Sequence, residues 1–460
     1  MQDLTTGSIT KHLLKTTSFM LVTMVFQTLY FLVDLYWVGR LGTQSVAAVG
    51  IAGNLNFVVL ALSQMLGVGT TTVVSHAVGR RDKTEAQHLF NQSQALAVVI
   101  GVLFLGAGLA LSGVYTRAQS ADDETTRLAM EYLAWFIPAM AIQFPIAGMG
   151  SALRATGNFK PTMLVGTVTV VLNMVLAPLL IFGWGTGRPL GVAGAAISTL
   201  VAVVVASVWL AAYFMPKSAY LHFKFHDWKP QFAQWKRMLV VGLPAGFEFL
   251  MMALYLGIVY AIARPFGAAA QAGFGIGMRV IQAGFMPVVA LGFSVAPVAG
   301  QNFGARLPDR VKATFKDAAY LATGVMVVFA LASHIAPAAL VGIFSKDAAV
   351  IAVGEQYLKI ISWNYVASGL VFVASSMFQA MGNTIPSLIG SAVRLVLVAI
   401  PAVTLSRLPG FQLHWVWYLA MLAVWVQLAM ALWFLNREFK RRLVFAPTPT
   451  PPAQSAVAVA

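Results

Sequence analysis

The sequence predicts an all-α integral membrane protein, with twelve transmembrane helices arranged as two six-helix bundles. Three observations carry that prediction. Of 460 residues, 59% are hydrophobic and only 10% charged, with a mean hydropathy of +0.79, whereas a soluble chain carries roughly a quarter charged residues. Apolar stretches of the roughly 20 residues needed to cross about 30 Å of hydrocarbon recur along the whole chain. The two halves also echo each other at one fixed offset of 225 residues.

Taken in order, the spans fall near residues 14–38, 46–75, 92–114, 130–151, 162–183, 191–214, 239–263, 276–300, 317–342, 355–379, 386–406 and 414–436. The second is longer than a bilayer requires and should project beyond it as helix. Loop charges orient the array. Arg80, Arg81 and Lys83 follow the second span, and Arg154 and Lys160 follow the fourth. Lys217, Lys224, Lys229, Lys236 and Arg237 lie between the sixth and seventh, Arg306, Arg310, Lys312 and Lys316 follow the eighth, and Arg437, Lys440, Arg441 and Arg442 follow the twelfth. All fall on one side with Lys11 and Lys15, so both termini are expected in the cytoplasm. The same bias accounts for the net charge of +15, from 30 Lys and Arg against 15 Asp and Glu, without a nucleic-acid partner. The absence of cysteine excludes disulfides, thiolate metal sites and cysteine nucleophiles.

The first segment, MQDLTTGSITKHLLK, reads as the approach to a membrane span rather than a cleavable signal, because the apolar run has no small-residue cleavage site at its end. The last, APTPTPPAQSAVAVA, reads as a disordered tail. Between them, GVGTTTVVSHAVGR (67–80) lies over GFSVAPVAGQNFGA (292–305), Tyr30 over Tyr255, Gly42 over Gly267, and Gly157, Asn158 and Pro161 over Gly382, Asn383 and Pro386. Six helices per copy give both copies the same orientation, about an axis along the membrane normal. The expected organisation is a first lobe over 1–214, a basic connector over 215–238, a second lobe over 239–445 and a tail over 446–460.

The order of LVDLYWVGRLG, SALRATGNFKP, LNMVLAPLLIFG, GVAGAAIST, VAGQNFGA and SMFQAMGNTIP resembles the multidrug and toxic compound extrusion (MATE) family over nearly the whole chain. The resemblance implies two lobes forming a V around a central cavity. It also implies export of organic compounds, often cationic and amphipathic, in exchange for protons or sodium. A monomer in the inner (plasma) membrane of a bacterium, contacting lipid and small-molecule substrates and needing no cofactor beyond the coupling ion, is the corresponding expectation.

Asp34 is the residue that the apolar pattern least explains. Of the 15 acids, only Asp34 and Glu248 sit deep inside apolar spans, and a carboxylate there is either satisfied by partners or functional. Asp34 lies about 9 Å inward from Arg40, Asn173 about 15 Å inward from Gly183 and Thr199 about 12 Å inward from Gly191, at 1.5 Å per residue. Three polar side chains thus share one layer of the first bundle. The resemblance maps its N-lobe cation site onto the same Asp34, Asn173 and Thr199. The chain also departs from the family: Ala177 stands where many relatives carry a second carboxylate one turn from the Asn, and Met252 and Ser368 stand where one branch carries further acids. One carboxylate, one amide and one hydroxyl make a thin cage for sodium. A lone sheltered carboxyl suits a proton, because low dielectric favours the neutral acid.

Glu248, about 16 Å from the basic end of its span, and Arg394, about 12 Å from Pro386 at the same rise per residue, are read in two ways: as a buried ion pair closing the second bundle, or with Glu248 as an attractant for cationic compounds in the cavity. Tyr36, Met149, Met252 and Gln282 complete the candidate cavity residues. Met side chains offer a soft, adaptable surface. The expected function is proton-coupled export with Asp34 as carrier. Sodium-coupled export at the same site and flipping of a lipid-linked saccharide are the alternatives. The latter is disfavoured because intramembrane arginine is read as nearly confined to Arg394. No HExxH, GxSxG or Walker lysine loop is present, which argues against an enzyme.

Overall fold

Twelve helices long and apolar enough to span a membrane are present in a computed structural model that describes residues 2–445 apart from 121, 185 and 186. The first half holds α1 (Ile9–Gly39), α2 (Thr43–Gly79), α3 (Lys83–Gln119), α4 (Asp123–Ala155), α5 (Lys160–Phe182) and α6 (Gly191–Phe214). The second holds α7 (Phe232–Ala263), α8 (Ala268–Gly304), α9 (Pro308–Ile335), α10 (Pro337–Gly342), α11 (Ala348–Ile361), α12 (Tyr365–Ala380), α13 (Ile385–Leu405) and α14 (His414–Arg442). Residues 446–460, expected to form a disordered tail, lie outside the described residues.

Local sequence sets the helix ends. Ser8, Asp82 and Asp122 accept hydrogen bonds from the first-turn amides of α1, α3 and α4, which satisfies donors that a helix start leaves unpaired. α2 runs 37 residues, as its apolar pattern predicts. Two expected spans are broken. The stretch 317–342 divides at Ala336 into α9 and α10, because Pro337 lacks an amide hydrogen and disfavours helical backbone in the residue before it. The stretch 355–379 is interrupted by a 3-10 turn over Ser362–Asn364, so α11 and α12 together make one span.

Buried side chains form two large cores. One draws on α2 to α6, with Phe90, Phe144, Ile137 and Phe214 among its residues, and takes in Val38 of α1 and Trp235 and Met238 at the start of α7; the other draws on α7 to α14, with Phe274, Phe378 and Trp417. Leu4, Ile9 and Leu13, from the beginning of the chain, pack in the second core. The connector docks on α3 through buried amides. Asn91 Oδ1 accepts from the Lys224 amide and from Trp228 Nε1, and Gln92 Nε2 donates to the carbonyls of Asp227 and Lys229.

The halves meet at the end that carries the basic loops. Gln301 Nε2 donates to the Ala155 carbonyl at 2.8 Å while its Oε1 accepts from the Leu4 amide at 3.0 Å. Thr72 donates to the Gln379 carbonyl at 2.8 Å, and His76 Nε2 contacts the Ala380 carbonyl at 2.6 Å. Glycine lets backbones touch along this seam: a Cβ on Gly79, Gly242 or Gly304 would collide with the main chain of Gln301, Met65 or His76 respectively. Further from the basic end, Thr28 on α1 meets Met286 on α8 at 3.9 Å. Among the described residues, no hydrogen bond, ion pair or ring contact joins the two halves nearer the opposite end.

Candidate functional site

In the half of the first bundle away from the basic loops, α1, α5 and α6 bring Asp34, Asn173 and Thr199 into one neighbourhood. Thr199 is the hub. Its hydroxyl donates to the Ala195 carbonyl one turn back at 3.1 Å, which leaves its lone pairs for Asn173 Nδ2 and the Tyr30 hydroxyl, each at 3.2 Å. Asn173 and Thr199 are buried. Two oxygens are left over: Asp34 Oδ1 and Asn173 Oδ1 are both buried without a hydrogen-bond partner among the described residues. Tyr132 on α4 and Tyr30 lie within electrostatic reach of Asp34. A carboxylate oxygen and an amide oxygen, both acceptors and both without a donor, form a site that a proton or a small cation would satisfy. Tyr30 sits one turn before Asp34 on the same face of α1. The sequence identified it only as a repeat match, but that spacing was the signal for it.

Among the described residues, the second bundle has no such site. The 225-residue offset carries Asp34, Asn173 and Thr199 onto Val259, Val398 and Val424, all buried. Where the first lobe holds a polar layer, its structural echo is packed with branched aliphatics.

Glu248 and Arg394 make no ion pair among the described residues, and the expectation of a charge pair closing the second bundle is corrected. The cause is register. Glu248 lies beside the Ser387 hydroxyl, whereas the Arg394 guanidinium lies over the Tyr255 ring, 5.3 Å from its centroid. Each is seven residues further along its own helix, or about 10 Å at 1.5 Å per residue. α13 also begins deep, because Thr384 just before it is buried and donates to the Val241 carbonyl inside α7, so depth measured from Pro386 started from the wrong level. Glu248 Oε1 is buried without a partner. With no pair to break, Glu248→Gln should leave the protein folded, with a midpoint in a thermal-unfolding assay unchanged or raised; a collapse in folded yield would contradict this arrangement.

The remaining candidates scatter. Met252 is exposed on the same α7 face as Glu248 and Tyr255, and Gln282 is exposed on α8. Tyr36 is exposed near the end of α1, edge-on to Trp37 and beneath the Arg40 guanidinium. Met149 is not in the same neighbourhood. It is buried in the first core and lines an apolar groove of about 490 Å³ with Val102, Met215, Phe223 and Trp228, beside the connector. Two arginines also depart from expectation. Arg154 is not a loop charge: it lies in the last turn of α4, donates to Ser151 Oγ at 2.7 Å and reaches over Phe293 of the second half. Arg279 lies inside α8, so Arg394 does not stand nearly alone. The sequence reading passed over Arg279, although a cation within an apolar run was the signal for it.

Paired bundles, a seam at one end and a polar site inside one lobe define a multi-pass membrane transporter. One family model, MatE, matches the chain twice, over residues 20–179 and 244–404, and the chain belongs to that family, one of transporters rather than enzymes. Relatives include an FAD transporter of Shewanella oneidensis, 25% identical over 380 residues that cover 82% of this chain and 83% of that one. The multidrug export protein MepA of Staphylococcus aureus is 25% identical over 371 residues, covering 79% and 80%. Among solved structures, an outward-facing multidrug resistance MATE family transporter of the MOP superfamily superposes with a TM-score of 0.88 at 25% identity, covering 96% of this chain and 98% of that one. A MOP superfamily transporter from Pyrococcus furiosus, described with a binding pocket of reverse polarity suggesting a different function, gives 0.87 at 26% identity, with the same coverage.

Proposed function

We propose that the protein exports small organic compounds, multidrug fashion, in exchange for protons carried by Asp34. The single observation that carries the coupling site is the pair of buried acceptors, Asp34 Oδ1 and Asn173 Oδ1, with no donor to satisfy them. A proton on Asp34 supplies the missing donor and removes a charge from an apolar surrounding. Sodium finds one carboxylate and no second acid, since Ala177 occupies the position one turn from Asn173, and no group of three or more His, Asp or Glu gathers among the described residues. Likeness to an exporter such as MepA supports the direction of transport.

The basic end is read as cytoplasmic, from the distribution of Lys and Arg, and the described seam then closes the cytoplasmic side of an outward-open transporter. In this reading, a proton enters from outside onto Asp34 and α1 repacks against α5 and α6. Substrate leaves outward, the seam opens, and the proton departs inward as new substrate binds. Each inward proton contributes about 2.3 kcal/mol per 100 mV of membrane potential. Cells stripped of their own efflux pumps and expressing the protein should accumulate less of a fluorescent aromatic dye than cells with empty vector, and a protonophore should erase the difference. Equal accumulation for every dye tried would contradict export.

A further inference from the structure

The second lobe presents two cations, Arg394 and Arg279, that no ion pair neutralises among the described residues. Arg394 makes no ion pair among the described residues; its guanidinium lies over Tyr255 of α7 and within electrostatic reach of Tyr357 of α11. It therefore faces α7 and the interior of the second bundle, and it is only partly buried. Glu248, its only acidic neighbour on α7, stands two turns away toward the basic end.

Arg279 has no ion pair either and is exposed. Its direction follows from the register of α8. Gly273, Gly277 and Gly284 face Val353, Tyr357 and Phe329 inside the second bundle. Met286 faces Thr28 of α1 across the lobes. Arg279 lies two turns from Met286 and so shares its face, where the separated halves leave α8 open to the cleft. An unpaired guanidinium inside a membrane span is costly. Arg394 lies against Tyr255 and hydrogen-bonds it, and with five N–H donors the guanidinium still has donors for the grip on carboxylate or phosphate at which arginine excels.

We propose that the second lobe carries an anion-recognising subsite, with Arg394 gripping the carboxylate or phosphate of an aromatic compound beside Tyr255 and Arg279, on the cleft face of α8, drawing the anion in. This deepens the reading of the chain as an exporter and assigns its substrates an acidic group. Divided labour follows: the first lobe handles the coupling ion, and the second reads the anion.

The test is equilibrium binding of carboxyfluorescein to the full-length protein in nanodiscs, followed by fluorescence anisotropy, with ethidium as the cationic control. Wild type should bind carboxyfluorescein. Arg394→Met should weaken it by roughly tenfold or more, as expected for losing a charge-assisted contact. Arg394→Lys should recover part of the loss, Arg279→Gln should weaken binding less, and ethidium binding should not fall in any variant. Thermal unfolding of each variant separates loss of the subsite from loss of the fold, and the Lys variant stands in if the Met variant does not fold. No binding by wild type, equal binding by wild type and the Arg394 variants, or displacement by a polyprenyl phosphate but not by unlabelled aromatic acids would overturn the proposal. Binding needs no ion gradient, so a failure of Asp34 coupling would leave this result standing, and the reverse also holds.

Discussion

Replacing Asp34 with Asn should abolish uphill export while leaving the protein folded. The amide is nearly isosteric and its NH₂ can donate to the acceptors around it, so the buried Asp34 and Asn173 oxygens no longer both want a proton. It carries no titratable charge, so the proposed exchange loses its proton carrier. In proteoliposomes, the variant should release preloaded dye down its own gradient at most, and dye accumulation against a gradient should fall to background. Thermal stability should hold or rise, because removing an unpaired charge from an apolar site relieves its desolvation cost. Asn173→Ala and Tyr30→Phe should have smaller effects, since each removes a partner of Thr199 rather than the carrier.

The second large effect is expected at the seam. Gly242 meets the Met65 main chain of α2, and Gly79 meets the main chain of Gln301 in α8. Gly242→Ala or Gly79→Ala places a methyl group where backbone already stands. Both contacts lie between helices of different lobes, so the expected outcome is lobes that fold and fail to close. Overpacking of this kind costs about 1–3 kcal/mol, enough to shift a two-state equilibrium by about 5- to 150-fold. Because the chain has no native cysteine, spin labels at Lys83 and Lys312, one on each side of the seam, report the state directly. The variants should show a longer distance than wild type together with reduced transport. An unchanged distance distribution would mean that the seam does not open during the cycle.

Much of this architecture was legible in the sequence because membrane length and charge bias act on every helix alike. The polar layer was legible too: Asp34, Asn173 and Thr199 could be placed by counting residues from helix ends that lie at the surface. The same count misjudged Glu248 and Arg394, because Thr384 tucks the start of α13 below the surface and a string carries no record of a buried loop. Met149 was misassigned because softness does not tell a helix face toward the cleft from one toward its own core. Arg154 looked like a loop charge because it closes α4; its reach back over Phe293 depends on side-chain direction. The interruption at Ser362–Asn364 had no proline to announce it.

The repeat adds a physical lesson. Two copies of one module began with the same helix plan, and Tyr30 and Tyr255 still occupy equivalent places. Around Tyr30 the first copy has an acid, an amide and a hydroxyl; the equivalent positions of the second copy hold three valines, and Arg394 comes to lie over Tyr255. Symmetry sets the frame for the lobes to move against each other, and its local breakage allots them different chemistry.

The central claim is that a proton on Asp34 drives the exchange. Purified protein in liposomes enclosing a pH-sensitive dye, with no sodium on either side, measures it directly. Adding substrate on the side from which it is exported should release protons from the opposite compartment in wild type, and the Asp34→Asn protein should release none. Substrate movement that requires sodium, produces no pH change and persists undiminished in the Asp34→Asn protein would contradict the account.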